Sequence, residues 1–165
     1  MKFHFNAKVE EILVEKKQAK GIRVNQQEVK ADLVINNMDM VNAYKSILKK
    51  QKQPQKLLDQ PKSSSALIFY WGIKNEFPEL DLHNILFSED YNKEFEHIFN
   101  KKSIYEDPTV YINITSVYKK DDAPKGCMNW FTMINVPNNQ GQNWDALIQE
   151  ARKNIISKIN RVLKT

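Results

Sequence analysis

The sequence predicts an α+β fold in which a mixed, mainly antiparallel β-sheet packs against helices. Three observations support this class. Residues 3–35 contain short strand-like runs separated by polar turns. Residues 66–73 form the most apolar run of the chain, uncharged and rich in β-branched and aromatic side chains. From Trp144 onward, apolar residues recur at spacings of three and four, the pattern of a helix that packs on a sheet.

The N-terminal residues predict a small β-meander that leads into a buried strand. Residues 3–6 begin the set, residues 9–15 alternate between two faces, and residues 21–24 continue in strand chemistry after a polar hairpin connection. The run Leu33-Val34-Ile35 is apolar without alternation, which predicts a strand covered on both faces. Residues 40–50 then carry apolar side chains at helical spacing and predict a short amphipathic helix.

Residues 66–73 predict the central strand of the sheet, covered on both faces. Serines before it and the segment 74–78 after it are turn formers that limit the run to strand length. Farther on, Ser88 is a candidate N-cap for a helix with an aromatic stripe. Residues 109–116 alternate as a strand, and residues 128–136 are apolar enough to pair back on it as a hairpin.

Composition excludes several classes of function. The chain has 165 residues, 41% of them hydrophobic, which is enough for a domain with a real core. Its four glycines are too far apart for a Gly-x-Gly-x-x-Gly turn, so the usual pyrophosphate cradle is missing. The net charge of +5 comes largely from a Gln/Lys-rich linker at residues 49–62. Because this linker has no aromatic residues, it predicts no nucleic-acid binding, and a membrane-surface contact is the alternative to a solvated connector.

The sequence has no motif for hydrolysis or for a metal site. It contains no Gly-x-Ser-x-Gly and no His-Glu-x-x-His, and Cys127 is its only cysteine, which favours a reducing compartment. His83 follows Asp81 closely, but no other histidine lies at a zinc-ligand spacing, so we interpret it as an ordinary hydrogen-bonded histidine at a strand start. No catalytic or metal-binding residue is therefore assigned. No segment approaches 18 consecutive apolar residues, and we expect a cytoplasmic protein or one peripheral to the inner membrane surface.

Four ordered segments resemble one enzyme family. They are SSSALIFYWGI at residues 63–73 with LHNILFS at 82–88, DYNKEFEHIF at 90–99, DPTVYINITS at 107–116, and DAPKGCMNWF at 122–131. This order is similar to the middle of the bacterial phytoene desaturase family, carotenoid desaturases that are FAD-dependent, amine-oxidase-like flavoproteins. The resemblance runs from about Phe3 to about Val162 and corresponds to roughly the interior third of a family member.

The resemblance implies an FAD cofactor and a long polyene hydrocarbon as substrate, with the flavin as hydride acceptor. It implies that residues 1–39 end an FAD-binding domain and that residues 40–165 are a substrate-binding domain truncated at its C-terminus. Val9 matches a position whose backbone usually contacts the adenine of FAD. The candidate wall of the substrate channel consists of aromatic and polar strand residues, whose inward face the sequence leaves open: Phe69, Trp71, Tyr111, Asn113, Trp130 and Phe131. The isolated segment is expected to be inactive.

Two other functions stay open at this stage. The chain could be a stand-alone α+β module that binds a hydrophobic ligand, or part of a related carotenoid isomerase or retinol saturase.

Overall fold

A computed structural model describes residues 2–165 and confirms the α+β class. The chain divides into two compact units, one ending at Pro61 and one spanning Lys62–Thr165. The sequence-based boundary after residue 39 lies earlier, and its assignment to cofactor and substrate domains stays a prediction. Every strand pairing within residues 2–165 is antiparallel, so the expected mixed character of the sheet is wrong for this part of the chain.

The first unit contains a three-stranded antiparallel meander. Its strands are β1 (Val9–Glu15), β2 (Gln18–Val24) and β3 (Gln27–Lys30), in that order across the sheet. Two-residue turns join them, and Lys16, Lys17, Asn25 and Gln26 all have positive φ, as tight hairpin turns require. Gly21 is needed in β2, because an added Cβ would lie 2.1 Å from the Val29 carbonyl oxygen.

A small core closes this unit. Helix α1 (Met40–Lys45) buries Ala43 against Ile12 of β1 and Ile47, and the Ile12 amide donates to the Ile47 carbonyl at 2.9 Å. Two strand predictions are wrong here, since residues 3–6 and Leu33-Val34-Ile35 form no strand. Leu33 and Ile35 are exposed by 75% and 86% because no element of the unit covers them. An apolar run indicates that burial is favourable, but it does not show that another element of the unit covers it.

The second unit is built on a four-stranded antiparallel sheet. Its strands are β4 (Ser65–Ile73), β5 (His83–Leu86), β6 (Val110–Asn113) and β7 (Met128–Val136), in the order β4-β7-β6-β5. The predicted hairpin partnership of residues 109–116 and 128–136 is confirmed by β6 and β7. The prediction that residues 66–73 form a central strand covered on both faces is wrong: β4 is an outer strand with β7 between it and β6, and Tyr70 on one of its faces is exposed. Apolar side chains on both faces do not determine a strand's lateral position in the sheet.

Helices complete the second unit. Helix α4 (Trp144–Leu163) begins at Asn143, whose side chain accepts from the Ala146 amide at 3.2 Å, and it buries Ala151, Ile155 and Ile159 in the core. Helix α3 (Tyr91–Glu96) continues into a π-helical turn, His97–Lys101. Its N-cap is Asp90 rather than the predicted Ser88, because the Asp90 carboxylate accepts from the Lys93 amide at 3.0 Å. The chain also has a short helix α2 (Gln55–Leu58) in the first unit.

A buried ion pair attaches α4 to the segment before β6. Lys158 is 4% exposed, and its Nζ donates to the Pro108 carbonyl at 2.7 Å and lies 3.0 Å from the Asp107 carboxylate. Arg161 and the Glu89 amide also donate to Asp107. Desolvation would raise the pKa of Asp107, but these hydrogen bonds, from Glu89, Lys158 and Arg161, outweigh it and lower the pKa below the ordinary 3.8.

Replacing Asp107 tests this attachment. Asp107→Asn should lower the free energy of unfolding by about 3 kcal/mol at neutral pH, because it leaves the buried Lys158 charge without its counter-ion. A carboxyl whose pKa is lowered on folding stabilises the fold above its unfolded pKa, and this stability is lost as the pH falls through the folded value. Urea unfolding of the 165-residue chain at neutral and acidic pH should therefore show the variant lacking that part of the acid dependence.

Arg161→Ala is the matched control. Its guanidinium also contacts Asp107, but the side chain is 59% exposed, so the expected loss is below about 1 kcal/mol. Equal small losses for both variants would contradict a structural role for the buried pair.

Candidate functional site

Strand alternation gives the sheet of the second unit two different faces. On one face, Val110, Ile112, Trp130 and Ile134 are buried in the same core as the apolar side of α4. Alternate residues of β4 contribute to this core, with Trp71 opposite Trp130. We call this surface the core face.

The opposite face carries large side chains that are exposed or half-buried. Two rows of directly paired residues cross all four strands. The first row is Tyr70, Phe131, Asn113 and His83, and the second is Ile68, Met133, Tyr111 and Ile85. We call this surface the open face. Tyr70 is 79% exposed and Ile85 is 53% exposed, so the surface is largely apolar and accessible in this chain.

Aromatic rings form a continuous series across the open face. The ring centroids of Tyr70 and Phe131 are 5.5 Å apart in an edge-to-face arrangement, and Phe131 meets Tyr111 in the same way at 6.3 Å. The His83 ring then stacks on Tyr111 at 6.0 Å. Neighbouring strands lie about 4.8 Å apart, so the series extends about 14 Å across the sheet.

A polar cluster lies at one corner of the open face, where His83 of β5 meets Tyr111 and Asn113 of β6. The His83 Nδ1 lies 2.8 Å from the Tyr111 hydroxyl and 3.3 Å from the Asn113 Nδ2, which also donates to the Leu82 carbonyl at 3.0 Å. Asp81 does not take part in this cluster: its carboxylate accepts from the Leu82 amide, and its hydrogen bond with Tyr118 raises the pKa of that tyrosine. The prediction that His83 is hydrogen-bonded at a strand start is confirmed.

The structure divides the predicted wall residues between the two faces. It brings Tyr111, Asn113 and Phe131 together on the open face. By contrast, Phe69, Trp71 and Trp130 lie on the core face, where Trp130 is only 3% exposed. Sequence reasoning missed the other members of the open face. The missed residues are Ile68, Tyr70, His83, Ile85 and Met133. The sequence did not show the register of β4 against β7, which pairs Tyr70 with Phe131.

A cavity of about 390 Å³ opens where the core face meets the C-terminal half of α4. Trp71, Phe77, Trp130 and Ile156 are among its lining residues. The Trp130 indole N–H is buried and has no hydrogen-bond partner within residues 2–165. This volume suits a small ligand, whereas a long ligand needs an extended surface such as the open face.

Neither a metal site nor a membrane span is found in residues 2–165. No group of three or more His, Cys, Asp and Glu side chains is placed to hold a metal ion. No helix in that part of the chain has the length and apolarity to cross a bilayer.

Sequence comparison relates the chain to known enzymes. It is 55% identical over 163 residues to a 1-hydroxycarotenoid 3,4-desaturase of Flavobacterium sp. (strain P99-3), with 99% of this chain and 33% of the relative covered. It is 33% identical to a zeta-carotene-forming phytoene desaturase of Myxococcus xanthus, with 83% of this chain and 27% of the relative covered. A phytoene desaturase of Cercospora nicotianae is 30% identical, with coverages of 86% and 29%. The chain belongs to the carotenoid desaturase family. It spans about one third of the length of these relatives.

Structural comparison finds a related fold for this carotenoid desaturase segment. The crystal structure of an oxidoreductase from Methanosarcina mazei matches it with a TM-score of 0.52 and 16% sequence identity, over 91% of this chain and 33% of that chain. At this identity the match shows a shared fold. No protein-family model matches the chain.

Val9 lies on β1 opposite Val24 of β2, and its contact with the adenine of FAD stays a prediction. Strand β1 is an outer strand, and the register shift between Val9 and Glu11 leaves Glu10 outside the regular pairing with β2. Backbone donors and acceptors at this edge can therefore reach a ligand, as the Ile12 amide already reaches Ile47. No glycine-rich turn for the pyrophosphate occurs in the sequence.

Alanine substitutions should distinguish the two faces by their effect on stability. Trp130→Ala should lower the free energy of unfolding of the 165-residue chain by about 3 to 5 kcal/mol, because it leaves a large void in the core. Tyr70→Ala should cost less than about 1 kcal/mol, since that ring is mostly exposed. Chemical denaturation measures both. A larger loss for Tyr70→Ala than for Trp130→Ala would show that the faces are assigned the wrong way round.

Proposed function

We propose that this chain is part of an FAD-dependent carotenoid desaturase and that its open face forms one wall of the polyene-binding site. The observation that carries the proposal is the 55% identity, over 99% of the chain, to a 1-hydroxycarotenoid 3,4-desaturase. The accessible, largely apolar face supports the assignment of the wall, because a long hydrocarbon substrate needs an extended apolar surface.

We infer that the chain's residues position the substrate and exclude water. When bound, FAD would accept the hydride removed from the hydrocarbon. Within the chain, Tyr70, Phe131 and Tyr111 supply ring faces and edges against which a conjugated chain can pack. Met133 beside them adds a side chain that adapts its shape to an irregular ligand.

The substrate class we propose is a hydroxylated carotenoid. The Flavobacterium relative is named for a 1-hydroxycarotenoid, while the relatives named phytoene desaturases share only about 30% identity with this chain. A relative of higher identity is the better guide to the substrate. We therefore base the proposed substrate on the 1-hydroxycarotenoid 3,4-desaturase and not on the phytoene desaturases.

We also propose a peripheral contact with the membrane surface. The substrate of such an enzyme is a hydrocarbon that partitions into lipid. The lysines of residues 49–62 could add electrostatic attraction to anionic lipids.

Activity of the full-length enzyme that contains this chain tests the proposal. Purified with FAD and given a 1-hydroxycarotenoid in liposomes, the enzyme should lengthen the conjugated system, which shifts the absorption spectrum to longer wavelength. Phe131→Lys should lower the rate at least about tenfold while the protein stays folded, because it places a charge under the polyene.

Tyr91→Lys is the matched control, since Tyr91 is an exposed aromatic residue of α3 and belongs to neither sheet row. Its activity should equal that of the unmodified enzyme. An unmodified enzyme with bound FAD that converts no carotenoid would refute the proposed activity. Equal rates for Phe131→Lys and Tyr91→Lys would refute the assigned wall.

A further inference from the structure

We propose that the cluster of His83, Tyr111 and Asn113 recognises a hydroxyl group at the end of the polyene. This inference rests on the proposed function and names the residues that hydrogen-bond the polar end of the substrate. The cluster lies at the β5 end of the open face, where the series of aromatic rings terminates. The other members of the two rows are Ile68, Tyr70, Ile85, Phe131 and Met133, which are apolar apart from the Tyr70 hydroxyl, so the polar groups concentrate at the His83 corner of the surface.

Hydrogen bonding within the cluster assigns the tautomer of a neutral His83 ring. Asn113 donates from Nδ2 to the Leu82 carbonyl, which sets the orientation of its amide. The same Nδ2 faces the His83 Nδ1 at 3.3 Å. Because an amide nitrogen can only donate, Nδ1 must be the unprotonated, accepting nitrogen. The proton of the neutral imidazole is therefore on Nε2.

This tautomer leaves both a donor and an acceptor for a ligand. With Nδ1 accepting, the Tyr111 hydroxyl at 2.8 Å and the Asn113 Nδ2 at 3.3 Å share its one lone pair as donors, and the lone pairs of the Tyr111 oxygen are directed elsewhere. The His83 side chain is exposed. Its Nε2–H makes no hydrogen bond to another residue of strands β4, β5, β6 or β7. An alcohol both accepts and donates hydrogen bonds, so it matches this pair of groups.

The arrangement also discriminates against a hydrocarbon end. A polyene covering the open face would remove water from His83 and Tyr111. A hydroxyl at its terminus replaces the lost hydrogen bonds, whereas a methyl or methylene terminus leaves the donor and acceptor unsatisfied. Sites that hydrogen-bond a substrate hydroxyl reject the analogue that lacks it for this reason.

The test compares two carotenoids that differ only in the terminal hydroxyl. In the full-length enzyme that contains this chain, kcat/KM is measured for the 1-hydroxycarotenoid and for the same carotenoid without the hydroxyl. His83→Phe keeps a ring stacked on Tyr111 and removes the Nε2 donor. It should lower kcat/KM about tenfold for the hydroxylated substrate, mainly through KM, and leave the other substrate unchanged.

Two further variants make the result specific. His83→Gln restores an N–H donor near the position of Nε2 and should recover part of the preference. Tyr111→Phe removes the second hydroxyl-facing group and should lower the preference in the same direction, which keeps the test valid if His83→Phe does not fold. His4→Phe is the matched control, because His4 is exposed in the first unit, and it should change nothing.

The outcomes separate this inference from the function beneath it. If the unmodified enzyme converts neither carotenoid, the proposed function fails. Two outcomes would leave the enzyme a carotenoid desaturase but refute recognition of the hydroxyl by the cluster. In the first, the unmodified enzyme converts both carotenoids with equal kcat/KM. In the second, His83→Phe and Tyr111→Phe lower kcat/KM equally for the two carotenoids.

Discussion

The packing of α4 on one face of the antiparallel sheet is the constraint on which the second unit depends. Side chains of a strand alternate between two faces, so a single covering helix can bury only half of them. Ala151, Ile155 and Ile159 of α4 lie in one core with Val110 and Ile134 of the sheet. The Lys158 contacts with Pro108 and Asp107 fix the helix to the segment before β6. The residues facing the other way are left as a broad, largely apolar surface.

The chemistry of that surface follows from the register of the strands. Because β7 lies between β4 and β6, Phe131 has Tyr70 on one side and Asn113 on the other. The same pairing aligns rings along the sheet and ends them at His83 on the outer strand β5. A largely apolar surface with a polar cluster at one corner is suited to an elongated hydrocarbon that carries one polar group. Membership of the carotenoid desaturase family makes such a molecule the natural ligand to propose.

Much of the fold could be predicted because local patterns determine it. The periodicity from Trp144 specifies α4, and the alternation of residues 110–113 and 128–136 specifies strands with one buried face. Lateral order could not be predicted, because the apolar character of β4 is the same for an outer and a central strand. The predicted buried strand at Leu33-Val34-Ile35 is wrong for a related reason: apolar side chains give no information on whether a packing partner is present in the unit. Three of the predicted wall residues proved to lie on the open face, and Phe69, Trp71 and Trp130 on the other, since the choice of face depends on where α4 packs.

Photolabelling gives the most direct measurement of the central claim, that the uncovered side of the sheet binds the carotenoid. The full-length enzyme that contains this chain is irradiated with a bound carotenoid analogue carrying a diazirine, and the adducts are located by mass spectrometry. The account predicts adducts on alternate residues of β6 and β7, at Tyr111, Phe131 and Met133. Adducts on their neighbours Ile112 and Thr132, or on α4, with those three unlabelled would contradict it.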